Sequence, residues 1–201
     1  MATKNFDKIK NLVLTASFMA ITAFLQLFAS SFTVGTVSFS IVLVPIVICG
    51  ILCGKMGGFL TGLTFGVITM IGGITGGDIF TATLMQSGTR GFILTTLICL
   101  VKASMAGLLA AIVYKAFANK NKYLATFCAA ATAPIVNTGL FILGMFTMTD
   151  ILSDAFTNGG SVIYFLFIVC AGVNFIIELL VNLIFAPAIY HLIKAVSKGK
   201  I

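Results

Sequence analysis

Apolar positions in this chain come in long unbroken blocks, and the polar positions gather in short segments between them. Blocks at 11–29, 40–53, 54–73, 92–117, 123–147 and 161–193 predict six helices. Most are close to the ~20 apolar residues a helix needs to cross a bilayer. The second is only about 14 residues and contains Pro45, short for a full crossing and suited to a kinked or partly re-entrant helix. Three connections stand out. "SSFTVGTVSF", residues 30–39, is rich in β-branched and small polar residues and reads as an extended loop. "GGITGGDIFTATLMQSGTRG", 72–91, and "MTDILSDAFTNGG", 148–160, exceed the usual ~2–8 residues between helices and read as lids. The expected fold is all-α and integral to the membrane: one six-transmembrane-helix bundle over residues 1–201.

Composition narrows the class further. Of 201 residues 60% are hydrophobic and 8% charged, with a mean hydropathy of +1.17, which excludes a soluble domain. The net charge of +7 would suit a nucleic-acid binder. The basic residues, however, sit in short loops, as topology demands. With the N-terminus inside, Lys4, Lys8, Lys10, Lys55, Lys115, Lys120, Lys122, Lys194, Lys198 and Lys200 are all inner. Arg90 is then the outer base, beside Asp78, Asp150 and Asp154. A multi-pass protein of the cell membrane with both termini cytoplasmic is expected, with the lipid bilayer as a partner and nucleic acid excluded. The first run is longer than a signal-peptide core and lacks a clear cleavage site, so it reads as a retained span.

Within "CGKMGGFLTGLTFG", glycines at 54, 58, 62 and 66 recur every four residues. Gly54, Gly58, Gly62 and Gly66 therefore predict a helix face packed closely on a neighbour, since small residues let backbones approach where lipid supplies no hydrophobic drive. "GILCGKMG" resembles a phosphate-binding loop but has the wrong glycine spacing, and Met56 stands where Ser or Thr is required. Cys49, Cys53, Cys99, Cys128 and Cys170 lie in apolar runs without metal or redox spacing, and the lone His191 sits at an interface beside Lys194. No metal and no cofactor is expected.

Polar residues at membrane depth carry the functional signal, because charge in hydrocarbon is costly. Lys102 and Glu178 are the two charged ones. A rise of ~1.5 Å per residue puts Lys102, Glu178, Asn137, Gln26 and Asn174 about 18–24 Å above the inner ends of their helices, in one band of the outer half. Asn174, Glu178 and Asn182 share a helix face at four-residue spacing. Two readings stand. One is a structural Lys102–Glu178 pair with amides as interhelical glue. The other is a cavity opening outward, in which Lys102 holds an anionic group and the amides satisfy carbonyls or hydroxyls. Gln86, in the 72–91 segment, joins Lys102, Asn137, Asn174, Glu178 and Gln26 as a candidate binding residue.

With this organisation the chain resembles the substrate-binding S components of energy-coupling factor (ECF) vitamin transporters. "TASFMAIT", with Ala16 and Ala20 four apart, looks like the A-x-x-x-A motif by which such subunits dock on their coupling subunit. "VPIVICGILCGKMGGFLTG" and "APIVNTGLFILG" are similar to the second, third and fifth helices of the group. The resemblance implies a subunit that binds a vitamin from outside, under the three loops above. It implies docking, through Ala16 and Ala20, on a transmembrane coupling subunit driven by two ATPase subunits. ATP hydrolysis would belong to those partners, and this chain would not be an enzyme. One buried lysine among amides suits a small carboxylate rich in hydroxyls and amides, and pantothenate is the first expectation. The alternative is an autonomous secondary carrier or small channel with Lys102 and Glu178 in its pathway, although no internal duplication supports it. A membrane enzyme lacks any interior histidine, metal cluster or Ser/His pairing.

Overall fold

The computed structural model describes residues 2–29, 33–34, 37–38, 41–157 and 160–198. Helix α1 (Ala2–Ala29) begins earlier than the apolar run alone implied. Strands β1 (Thr33–Val34) and β2 (Val37–Ser38) then pair antiparallel in the segment read as extended. Next comes α2 (Leu43–Thr75), followed by a short α3 (Ile79–Gln86), α4 (Thr89–Ala118) and α5 (Lys122–Met145). A 3-10 turn (Phe146–Met148), α6 (Thr149–Leu152) and a π turn (Ser153–Thr157) cap that end. The chain returns through α7 (Val162–Tyr164), a π segment (Phe165–Gly172) and α8 (Val173–Lys198). The two long connections therefore hold helices rather than loop alone, and the last helix is π-wound over part of its length.

The largest departure from the expected pattern lies in α2. The 40–53 and 54–73 runs join without a loop, through Gly54 at φ 80° and ψ −169°. That backbone region is open to glycine and strained for any L side chain. Around it the helix doubles back. A Cβ placed on Gly58 would lie 3.0 Å from the Gly50 Cα, whereas eight residues of straight helix separate Cα atoms by ~12 Å. Gly54 is thus the turn and not part of a packing face; no atom comes within 4 Å of a Cβ built there.

Among the described residues, five stretches are long and apolar enough to cross a membrane, with Leu43–Thr75 counted as one. Split at Gly54 it yields two arms, 43–53 and 55–75, so six long helical segments build the bundle. The first arm is only ~16 Å long. It is wrapped by protein: Leu43, Ile46, Val47 and Cys49 are fully buried. Short, non-spanning backbone is tolerated at membrane depth when protein surrounds it.

Packing is inside-out relative to a soluble domain. Large side chains such as Leu12 and Ile184 are more than 70% exposed and face lipid, while Ala103, Ala106, Ala110, Ala129, Ala130 and Ala133 fill the helix contacts. The closest contact is between the second arm of α2 and α4. Gly58 opposes Gly107, Gly62 opposes Ala103 and Ser104, and Gly66 opposes Cys99 and Leu100, so the two helices run antiparallel. Threonines in this dry interior return their hydroxyls to their own helix: Thr15 to the Asn11 carbonyl (2.8 Å), Thr61 to Gly57 (2.8 Å) and Thr69 to Phe65 (3.0 Å).

Candidate functional site

The three helix faces that carry amides turn toward one space. Gln26 comes from α1, Asn137 from α5, and Asn174 and Glu178 from α8; Lys102 reaches in from α4. The cleft they line encloses about 90 Å³, below the usual ~300–1,000 Å³ of small-molecule sites, so as it stands it suits only a compact ligand. It lies at the α3 end of the bundle, away from Gly54. The fold thus brings together five of the six residues expected from the sequence. The sixth, Gln86, does not line it: it is exposed at the far end of α3.

Glu178 is the centre of the polar set, at 1% exposure. Its Oε2 accepts from Asn137 Nδ2 (3.5 Å) and its Oε1 from Asn174 Nδ2 (3.3 Å). One turn further, Asn182 Nδ2 donates to the Glu178 carbonyl (2.8 Å). The four-residue spacing of 174, 178 and 182 is what lets one α8 face build this ladder. Across the cavity Gln26 Nε2 donates to Thr69 Oγ1 (3.3 Å).

Lys102 and Glu178 do not form a contact ion pair; among the described residues Arg90–Asp150 is the one pair within 4.0 Å. The Lys102 ammonium instead lies 5.0 Å from the centroid of the Phe141 ring, a cation–π distance. Phe141 also belongs to an aromatic roof: Phe80 lies 6.0 Å from it and 5.0 Å from Phe156.

Asp78, read only as an outer-side acid, lines the cavity, as do Phe80 and Thr81, which the sequence reading passed over. Asp78 caps α3, its Oδ1 accepting from Thr81 N (3.2 Å) and its Oδ2 from Thr81 Oγ1 (2.9 Å). The signal was available: an Asp three residues before a Thr at the head of an apolar run is a helix start. Asp78 changes the electrostatics, since the cavity now holds two carboxylates to one ammonium. The π segment ends here as well, with Cys170 and Ala171 on the wall; π windings concentrate at functional sites.

At the start of α4, outside the cavity lining, Arg90 ties α4 to the α6 region. Its Nη1 donates to Asp150 Oδ2 (2.6 Å) and its Nη2 to the Thr147 carbonyl (2.7 Å). Exposed pairs contribute only ~0–1 kcal/mol to stability, so Asp150→Ala is expected to leave the melting temperature nearly unchanged. It frees one side of the roof, and ligand dissociation measured by stopped-flow should quicken several-fold. An unchanged rate would mean that Arg90 does not restrain the roof.

Ala16 and Ala20 are remote from this cavity. Both are exposed on α1, in a stripe with Leu12 and Phe24. The described residues include no group of three or more His, Cys, Asp or Glu placed to hold a metal ion.

No curated protein and no solved structure matches the chain. The family described as "ECF transporter, substrate-specific component" matches residues 10–190, across all six long helical segments. Members of that family are transport subunits that bind substrate and associate with an energising module, and they are not enzymes. This multi-pass membrane chain therefore belongs to the substrate-specific (S) components of ECF transporters.

Proposed function

We propose that this S component captures a small water-soluble vitamin or related metabolite in the cavity around Lys102, Asn137, Asn174, Glu178 and Gln26, from the outer side. It releases the compound inside once docked on a transmembrane coupling subunit driven by two ATPase subunits. The observation that carries the reading is the convergence of these polar side chains, from four helices, on one cleft under a roof of phenylalanines. Costly polar groups at such depth are retained where they bind something.

Charge supports the orientation. Lys55, Lys115, Lys120 and Lys122 gather at the Gly54 end, with Asp78, Asp150 and Asp154 at the cavity end. The positive-inside rule makes the first end cytoplasmic, which puts both termini in the cytoplasm. Pantothenate is the first substrate expected from one buried lysine among several amides; Asp78 adds a second carboxyl group to the wall.

The exposed α1 stripe is the proposed docking face. A leucine at Ala16 or Ala20 adds bulk where two helices must approach closely. Ala16→Leu is expected to leave substrate affinity unchanged and to abolish ATP-dependent uptake in vesicles containing the coupling module. Uptake that survives would move the docking face elsewhere. Vesicles holding this chain alone should take up nothing. Accumulation without the module would favour an autonomous carrier.

A further inference from the structure

The polar atoms of the cavity are not an even mixture of donors and acceptors. Resting on the substrate-binding reading, we propose that the compound held here is a compact zwitterion. Its acidic group lies against Lys102, and its protonated or N–H-rich nitrogen lies against a wall of amide carbonyls.

The wall follows from the hydrogen bonds. Glu178 accepts with both oxygens, so Asn137 and Asn174 both turn their nitrogens toward it. Their carbonyl oxygens are left buried and without a partner. Turning either amide over would set its oxygen against the carboxylate. Gln26 is fixed by a second route. The Thr69 hydroxyl already donates to the Phe65 carbonyl, so toward Gln26 it can only accept. Gln26 must therefore present its nitrogen to Thr69, and its Oε1 is also buried and unpartnered. Three acceptors on α1, α5 and α8 thus lack a donor, on residues that line one cavity. Gln26 and Asn137 are only 6% and 4% exposed, so bulk water does not satisfy them. A group bearing several N–H bonds would.

The charges agree. Lys102 has three donors and no carboxylate within 4.0 Å among the described residues, so it selects an acidic group. Asp78 and Glu178 also line the cavity, which therefore sets two carboxyl groups beside one ammonium. A simple anion would leave the amide oxygens without a donor, and a simple cation would leave Lys102 without its counter-group. A zwitterion meets both ends and adds no net charge.

The test uses the purified chain in nanodiscs and yeast extract separated into four pools. Anions bind an anion exchanger at pH 7, and cations bind a cation exchanger at pH 7. Zwitterions pass both and are caught on a cation exchanger at pH 2; neutral compounds pass all three. The zwitterion pool alone should raise the melting temperature, and mass spectrometry should find a retained compound bearing both an acid and a basic nitrogen. That compound should bind Gln26→Leu at least 10-fold more weakly, because leucine removes the acceptor. Retention from the anionic, cationic or neutral pool overturns the charge assignment while the substrate-binding reading stands. No stabilisation from any pool takes down both.

Discussion

Gly62→Leu is expected to yield no folded bundle. Even a Cβ at this position would come within 2.8 Å of the Ala103 carbonyl carbon and 3.0 Å of the Ser104 Cα. Those atoms are backbone, so no rotamer change relieves the clash, and α4 must move away from α2. Overpacking usually costs ~1–3 kcal/mol, and here backbone meets backbone at Gly58, Gly62 and Gly66, so the cost should lie at or above that range. Gly58 and Gly66 obey the same geometry, with the Gly107 carbonyl carbon 2.9 Å and the Cys99 oxygen 2.5 Å from the added carbon. Gly139→Ala is the control, because nothing lies within 4 Å of a Cβ there. Detergent melting curves should show Gly139→Ala at or above the parent and Gly62→Leu without a cooperative transition. A Gly62→Leu protein that melts like the parent would mean that the α2–α4 packing described here is wrong.

The second large effect belongs to Glu178. Glu178→Leu removes the acceptor of two amide nitrogens whose own carbonyls already lack partners. Each stranded buried group costs ~1–3 kcal/mol, so the variant should lose roughly 2–6 kcal/mol by that principle. Leucine would relieve the burial of a carboxylate, and replacing a whole buried polar set by apolar residues can even stabilise. Here only the centre is replaced and its ligands remain, so the stranded groups win. Glu178→Gln keeps the shape and one acceptor and should fold with an intermediate melting temperature. It should bind substrate at least 10-fold more weakly, because Asn137 or Asn174 is then free to turn over. A leucine variant as stable as the parent would show that the ladder does not hold the bundle.

Much of this architecture was legible in the chain because lipid imposes a simple rule: a helix crossing it must be apolar for ~20 residues. The same cost of polarity at depth made Lys102, Glu178, Asn137, Asn174 and Gln26 conspicuous, and the common helical rise placed them at one height. The residues given the wrong role lie where that rule is silent. Gly54 continues a four-residue glycine rhythm and so reads as one more face residue, although its φ of 80° makes it the turn. Asp78 and Gln86 lie in a segment that reads as loop. Once α3 forms, its eight residues separate them by ~12 Å and leave Asp78 at the cavity and Gln86 outside. The π winding of Phe165–Gly172 has no residue signature at all. Lys102 and Glu178 invited pairing as the only opposite charges at depth, yet Phe141 and the two asparagines take their places as neighbours.

Native mass spectrometry of the chain purified alone, beside Lys102→Ala, tests the central claim most directly. The account predicts one small molecule retained per chain in the parent and an empty, equally folded variant. Equal occupancy of the two proteins, or a parent that holds nothing and is stabilised by no metabolite offered, would contradict it.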